Sequence, residues 1–282
     1  ITLWHWTQPV WIKNMGGWAN SKTIDYYEQY VERISSLFSN DVRLWNPLNE
    51  PNIYTSFGYV VGTHPPGIKN IILAWKVFQN LINAHKKAYR AIKGYNSKAC
   101  VGSVSSVMYF DTRIFILADK LINNFLNYFW NKWFFNKTRG YNDFIGCNYY
   151  TDTKVSLAPS RPEQNKSSDL GWQVVSEGIY YVLKDLNKYS LPIYITENGI
   201  ADALDEKRPK YIQEHVKQIG QALKEGVDIR GYFHWSLLDN FEAPEVRGFW
   251  PRFGLVEVDY KTMERKIRPS AWEYKKIIEN SK

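Results

Sequence analysis

Short apolar runs rich in β-branched and aromatic residues recur along this chain, and longer amphipathic runs separate them. That alternation limits the fold more than any other feature of the sequence. The short runs read TLWHW (2–6), RLWNPLNE (43–50), ACVGSVS (99–105), DFIGCNYY (143–150), PIYITEN (192–198) and DIRGYFHWS (228–236). Helical periodicity predicts helices over about 23–39, 70–93, 112–135, 174–189, 207–225 and 270–280. Asp41, Asn142, Pro192 and Asp228 stand where strands begin, and Gly94 and Gly226 fall where two helices are expected to close. The stretch 156–171 (SLAPSRPEQNKSSDLG) is polar and turn-rich, and reads as a long surface loop.

Strands that are apolar on both faces and alternate with helices describe a parallel α/β sheet. Six βα units suit either an open doubly wound sheet or part of a (β/α)8 barrel, and periodicity does not separate the two. The placement of polar residues does. His5, Glu50, Asn148, Tyr150, Glu197 and Trp235 each close a strand. In a TIM barrel such ends converge on the face that carries the site. No G-x-G-x-x-G follows a strand and no P-loop occurs, which removes support for a nucleotide fold. The chain is therefore expected to form a single domain over 1–282, an incomplete TIM barrel.

The formal charge of +8 would suit a nucleic acid, but the Lys and Arg residues are scattered and form no basic block, so no nucleic-acid partner is expected. Two cysteines, Cys100 and Cys147, cannot build a disulfide framework and are expected as buried free thiols. No apolar stretch approaches the ~18 residues of a membrane helix, and no basic-then-apolar leader precedes Ile1, so no membrane partner and a reducing, cytoplasmic compartment are expected. Asn136-Lys137-Thr138 and Asn165-Lys166-Ser167 match the glycosylation sequon, a pattern frequent by chance. His85 lies within a helical run and reads as packing, and His64 and His215 read as loop and surface. No HExxH or other ligand spacing appears, so neither a metal nor a cofactor is expected. Aromatic residues make up 16% of the chain, which fits either an aromatic core or a site that stacks on the flat faces of a ligand.

Glu50 and Glu197 are the residues that carry chemistry. Each ends a hydrophobic strand, where an unpaired carboxylate is costly, and each sits beside an asparagine (Asn49-Glu50, Glu197-Asn198). One such glutamate could equally be a buried ion pair or a helix-capping partner; two, on separate strands, suit the paired carboxyl groups that glycoside hydrolysis needs.

The surrounding motifs make the comparison specific. Asn49-Glu50-Pro51 resembles the N-E-P motif of glycoside hydrolase family 1, and Thr196-Glu197-Asn198-Gly199 resembles its T-E-N-G motif. Leu3-Trp4-His5-Trp6, Gly58-Tyr59 with Pro65-Pro66-Gly67, Asn148-Tyr149-Tyr150, Trp235 to Glu242 and Arg252-Phe253-Gly254-Leu255 match further family motifs in the same order. His234-Trp235-Ser236 is similar to the archaeal members. The resemblance implies hydrolysis of β-D-glycosides (glucosides, galactosides or fucosides) with retention, by double displacement. It makes Glu197 the nucleophile and Glu50 the acid/base. It gives Asn49 the sugar 2-hydroxyl, sets Tyr150 on Glu197 with Asn148 beside it, and assigns His5 and Glu242 to sugar hydroxyls, with Trp235 as the floor under the sugar. Glu242 argues against the phospho-sugar branch. The family's Trp is replaced by Ala243, and the longer segment to Gly248 leaves Glu242 and Glu245 both open as sugar ligands.

Aligned to the family, Ile1 falls at strand 3, so strands 1 and 2, roughly a hundred residues of a barrel that needs about 250, are expected to be absent. Strand edges left bare in this way would weaken activity. The alternatives are an inactive remnant that binds sugar weakly or self-associates, and a fragment that needs the missing segment in trans. A homodimer covering the open edge is expected.

Overall fold

A computed structural model describes residues 1–111, 117–154, 167–242 and 248–281. Ala243, Glu245, the sequon asparagine Asn165 and the start of the helix expected over 112–135 lie outside the described residues.

In chain order the elements are β1 (Thr2–Trp4), α1 (Val10–Asn14), α2 (Lys22–Phe38), β2 (Leu44–Leu48), α3 (Pro51–Thr55), α4 (Ile71–Tyr95), β3 (Cys100–Asp111), α5 (Leu117–Asn127), α6 (Trp133–Lys137) and β4 (Phe144–Lys154). They continue with α7 (Glu177–Leu186), β5 (Ile193–Asn198), α8 (Arg208–Lys224), β6 (Ile229–His234), β7 (Val256–Val258), β8 (Arg265–Ile267) and α9 (Pro269–Asn280). π turns follow α3 at Ser56–Val61 and α5 at Tyr128–Lys132. Strands β1 to β6 form one parallel sheet in sequential order, and β7 and β8 pair antiparallel. This is the α/β class expected, with six βα units of the eight in a TIM barrel.

The chain divides into two compact units. The first comprises Ile1–Ser106 and Tyr128–Gly146. Its core forms because α2 places apolar residues three or four positions apart: Ile24, Tyr27 and Val31, followed by the small Ser35, are buried along one face. That face packs on α4, which buries Val77, Leu81, Ala84, Ala88 and Ile92. Asn70 starts α4 cleanly, its side-chain oxygen accepting from the Leu73 N–H at 3.0 Å. Trp4, Trp18, Trp45 and Phe134 fill the space between helices and strands.

The second unit comprises Val107–Asn127 and Cys147–Lys282. Ile200, Tyr211, Ile212 and Leu255 form a core cluster there, with Val216, Ala271, Tyr274 and Ile277 against it. Gly226 ends α8 in the left-handed conformation (φ +87°), as expected of a glycine after a helix. Gly94 does not: it lies inside α4, which runs on to Tyr95 and ends at Asn96.

Two further expectations need correction, those for His215 and Cys100. His215 is fully buried, not on the surface, because residues 211, 215 and 219 share the apolar face of α8. It stacks on Tyr211 at 3.8 Å, and burial pushes its pKa down to about 4. His64 lies in the loop after the π turn, as expected, where it is buried and stacks on Phe57 at 4.8 Å. Cys147 is a buried free thiol, whereas Cys100, at the start of β3, is half-buried.

Candidate active site

Within the first unit, β1 and β2 run parallel with Thr2 opposite Asn46 and Trp4 opposite Leu48, so His5 and Asn49 emerge side by side. Asn49 is buried, and its Nδ2 lies 3.1 Å from His5 Nε2. An amide donor facing that nitrogen requires a ring nitrogen without its proton, and loss of hydration holds the His5 pKa below its ordinary value. Trp6 Nε1 donates to the Asn49 carbonyl at 3.1 Å.

Glu50 follows at once and is 6% exposed. Its backbone is left-handed (φ +45°, ψ +59°), unlike most non-glycine residues. Its N–H donates to the Val104 carbonyl of β3 at 3.1 Å, and its carbonyl accepts from the Tyr54 N–H at 3.1 Å as α3 begins. Strain of this kind persists only where the surroundings fix it, and such positions cluster at functional sites.

Within the second unit, Asn148 and Tyr150 lie inside β4 and do not close it as expected, because the strand runs on to Lys154; Tyr150 donates to Glu197 Oε2 at 2.7 Å. The tyrosine ring is braced edge-on by Trp172 at 5.8 Å and Phe253 at 6.2 Å. Asn148, two residues earlier and so on the same side of the strand, is fully buried; its Oδ1 accepts from the Thr196 hydroxyl at 2.6 Å. Pairing of β5 with β6 sets Ile195 opposite Tyr232 and Asn198 opposite His234, leaving one extra residue on β5 between them. Glu197 therefore sits on a β-bulge, a device that re-aims a side chain. Asn198 closes the bulge: its Nδ2 donates to the Tyr149 carbonyl (2.6 Å) and to the Tyr211 hydroxyl (2.8 Å), and its Oδ1 accepts from the Tyr232 hydroxyl (2.9 Å). The next residue must be glycine, because a Cβ on Gly199 would collide with the Trp235 carbonyl oxygen.

Trp235 Nε1 donates to Glu242 Oε1 at 3.2 Å. Burial pushes the Glu242 carboxyl pKa up, and the hydrogen bonds from Trp235 and Asn240 offset only part of that rise. The segment joining Trp235 to Glu242 is fixed through Asp239, whose two oxygens receive Arg268 at 2.9 Å each, with the Gly254 N–H at 2.9 Å and Arg252 at 3.3 Å. Arg252 and Gly254, singled out in sequence as part of a motif, thus act here by holding Asp239.

The first unit therefore brings His5, Asn49 and Glu50 together; the second brings together Asn148, Tyr150 and Glu197, and likewise Trp235 and Glu242. Sequence reading missed Thr196 as the partner of Asn148 and Tyr211 and Tyr232 as the partners of Asn198. The only signal for the last was the asparagine beside the glutamate.

The family model for glycosyl hydrolase family 1 matches residues 1–138 and 125–282. The chain belongs to glycosyl hydrolase family 1. It is 33% identical to the 1,4-beta-D-glucan glucohydrolase of Thermotoga neapolitana, covering 100% of this chain and 73% of that relative. It is 34% identical to a beta-galactosidase of Sulfolobus acidocaldarius, covering 100% of this chain and 66% of that relative. The solved beta-glucosidase of Thermotoga maritima in complex with glucoimidazole superposes with a TM-score of 0.90 at 30% identity, over 99% of this chain and 73% of that one. As a member of family 1, the protein is a glycoside hydrolase.

Proposed function

We propose that this family 1 protein hydrolyses β-D-glycosides, with glucosides, galactosides or fucosides as the sugar class, and that it does so with retention through a covalent glycosyl-enzyme intermediate. Glu197 is the nucleophile. Its carboxylate bonds to the anomeric carbon as the bond from that carbon to the leaving oxygen breaks, and that oxygen takes the proton of Glu50. Water then attacks the anomeric carbon and gives a proton to Glu50, and the ester bond to Glu197 breaks. Asn49 holds the sugar 2-hydroxyl. His5, Asn148 and Glu242 take further hydroxyls, Tyr150 orients Glu197, and Trp235 forms the floor.

The observation that carries the reading is Glu197 on its β-bulge with the Tyr150 hydroxyl on its carboxylate. A hydrogen-bond donor aimed at a carboxylate at the end of a strand suits a nucleophile that must stay ionised and oriented. The left-handed turn at Glu50 supports the second carboxyl in the same sense. Relatives named glucosidase and galactosidase support the substrate class. Hydrolysis of an aryl β-glucoside followed by NMR tests the stereochemistry: the β-anomer of the free sugar appears first if the reading holds, and the α-anomer first contradicts it.

The same reading includes a homodimer. β1 and β6 end the sheet among the described residues, and Phe233 of β6 is 53% exposed. Such an edge invites a second copy. It also includes the cytoplasm, since Cys100 and Cys147 are free thiols. No described helix is long and apolar enough to cross a membrane.

A further inference from the structure

We propose that Asn52 is a positioning residue for Glu50, acting through the backbone that carries the acid. The inference rests on the assignment of Glu50 as acid/base above.

Glu50 holds a left-handed conformation in which the Cβ of a non-glycine residue crowds the following carbonyl oxygen. It also precedes Pro51, whose ring narrows the conformations open to the residue before it. The helix that follows cannot hold this turn by itself. α3 has five residues, far fewer than an isolated helix needs, and passes directly into the π turn Ser56–Val61. Something outside the local chain must fix it.

Asn52 is that fixture. It is 3% exposed, and its carboxamide has a partner in each direction. Nδ2 donates to the Ser106 carbonyl at 2.7 Å and to the Trp130 carbonyl at 3.3 Å, and Oδ1 accepts from the Ser105 hydroxyl at 3.3 Å. Val104, Ser105 and Ser106 are consecutive on β3. Val104 receives the Glu50 N–H, and the next two residues hold the Asn52 side chain. Both ends of the strained turn are therefore tied to one stretch of one strand. With the Asn52 end released, the turn can relax toward an ordinary conformation, and the Glu50 carboxyl moves with it.

A merely structural asparagine and a positioning one differ in which substrates suffer. Proton donation matters when the leaving oxygen is a poor leaving group and matters little when it departs unaided. The test compares kcat/KM on an alkyl β-glucoside and on a dinitrophenyl β-glucoside for wild type, Asn52→Ala, Ser105→Ala and Glu50→Ala. A shift of about 1 Å in a catalytic group can cost on the order of a hundredfold. Asn52→Ala is expected to lose roughly 10- to 100-fold on the alkyl substrate and no more than about threefold on the dinitrophenyl one. Ser105→Ala, which removes one of the three hydrogen bonds, is expected to shift the ratio in the same direction by less, and decides the matter if Asn52→Ala fails to fold. Equal losses on both substrates, or an unchanged ratio, overturn the positioning role when Glu50→Ala itself discriminates between them. If Glu50→Ala does not discriminate, the acid assignment falls and the proposal falls with it.

Discussion

Replacing Asn198 with alanine removes three buried hydrogen bonds one residue from the proposed nucleophile, and the structure sets the size of the effect. Asn198 is fully buried, so water does not readily take over its contacts. The Tyr211 hydroxyl keeps the Gly199 N–H as a donor. The Tyr149 carbonyl and the Tyr232 hydroxyl lose the partners seen here. Leaving a buried polar group unpaired costs about 1–3 kcal/mol, so two such groups imply a loss of roughly 2–6 kcal/mol in unfolding free energy. Chemical denaturation followed by tryptophan fluorescence measures it. The sharper test is the pair Asn198→Ala with Tyr232→Phe. Tyr232→Phe deletes the hydroxyl that Asn198→Ala would strand, so the double variant is expected to be more stable than the sum of the singles predicts, by about 1–3 kcal/mol. Strict additivity would refute the claim that Tyr232 depends on Asn198, and a loss under about 1 kcal/mol in Asn198→Ala would refute the clamp itself.

Glu197→Ala is expected to abolish turnover, and azide should restore it with formation of the inverted glycosyl azide, read by NMR; azide without effect counts against Glu197. Burial raises the Glu242 pKa, so its carboxylate becomes protonated, and loses acceptor capacity for sugar hydroxyls, at a higher pH than an ordinary glutamate. KM should therefore rise as pH falls through that raised value, and Glu242→Gln should flatten the profile. An acid raised in this way adds stability at low pH that is lost as pH rises through the folded value, so Glu242→Gln should be the more stable protein at neutral pH in thermal unfolding. Light scattering at micromolar concentration should give the mass of a dimer, and a clean monomer contradicts the self-association.

Much of the fold was legible because each of the six strands is an apolar run, and period alone marked α2, α4 and α8. Their limits were harder to read. β3 runs on to Asp111 through Ser103, Ser105 and Ser106, which are buried although polar. Serine disguises a strand in sequence but fits inside when a partner exists: Ser103 donates to Asn142 Oδ1 at 2.7 Å. β1 stops at Trp4 because the chain turns at Trp6, whose φ is +70°. α3 and the hairpin of β7 with β8 are too short to show a period.

The two glutamates stood out because a carboxylate at the end of an apolar strand needs a reason. Asn52 did not, because its partners at Ser106 and Trp130 are backbone carbonyls 54 and 78 residues away, and any residue could supply them. His215 was misread because its polar side chain outweighed its register with Tyr211 and Ile219.

The central claim is that Glu197 forms a covalent bond to the sugar. Fluorine at the sugar 2-position of a β-glucoside slows both displacements, and a leaving group that departs readily restores the speed of the first alone, so the intermediate accumulates. Intact-mass measurement followed by peptide mapping is expected to find one fluorosugar per chain, on the peptide that contains Glu197. A label on Glu50 or on another residue would contradict the account, as would full hydrolysis of ordinary glycosides with no covalent adduct under any condition.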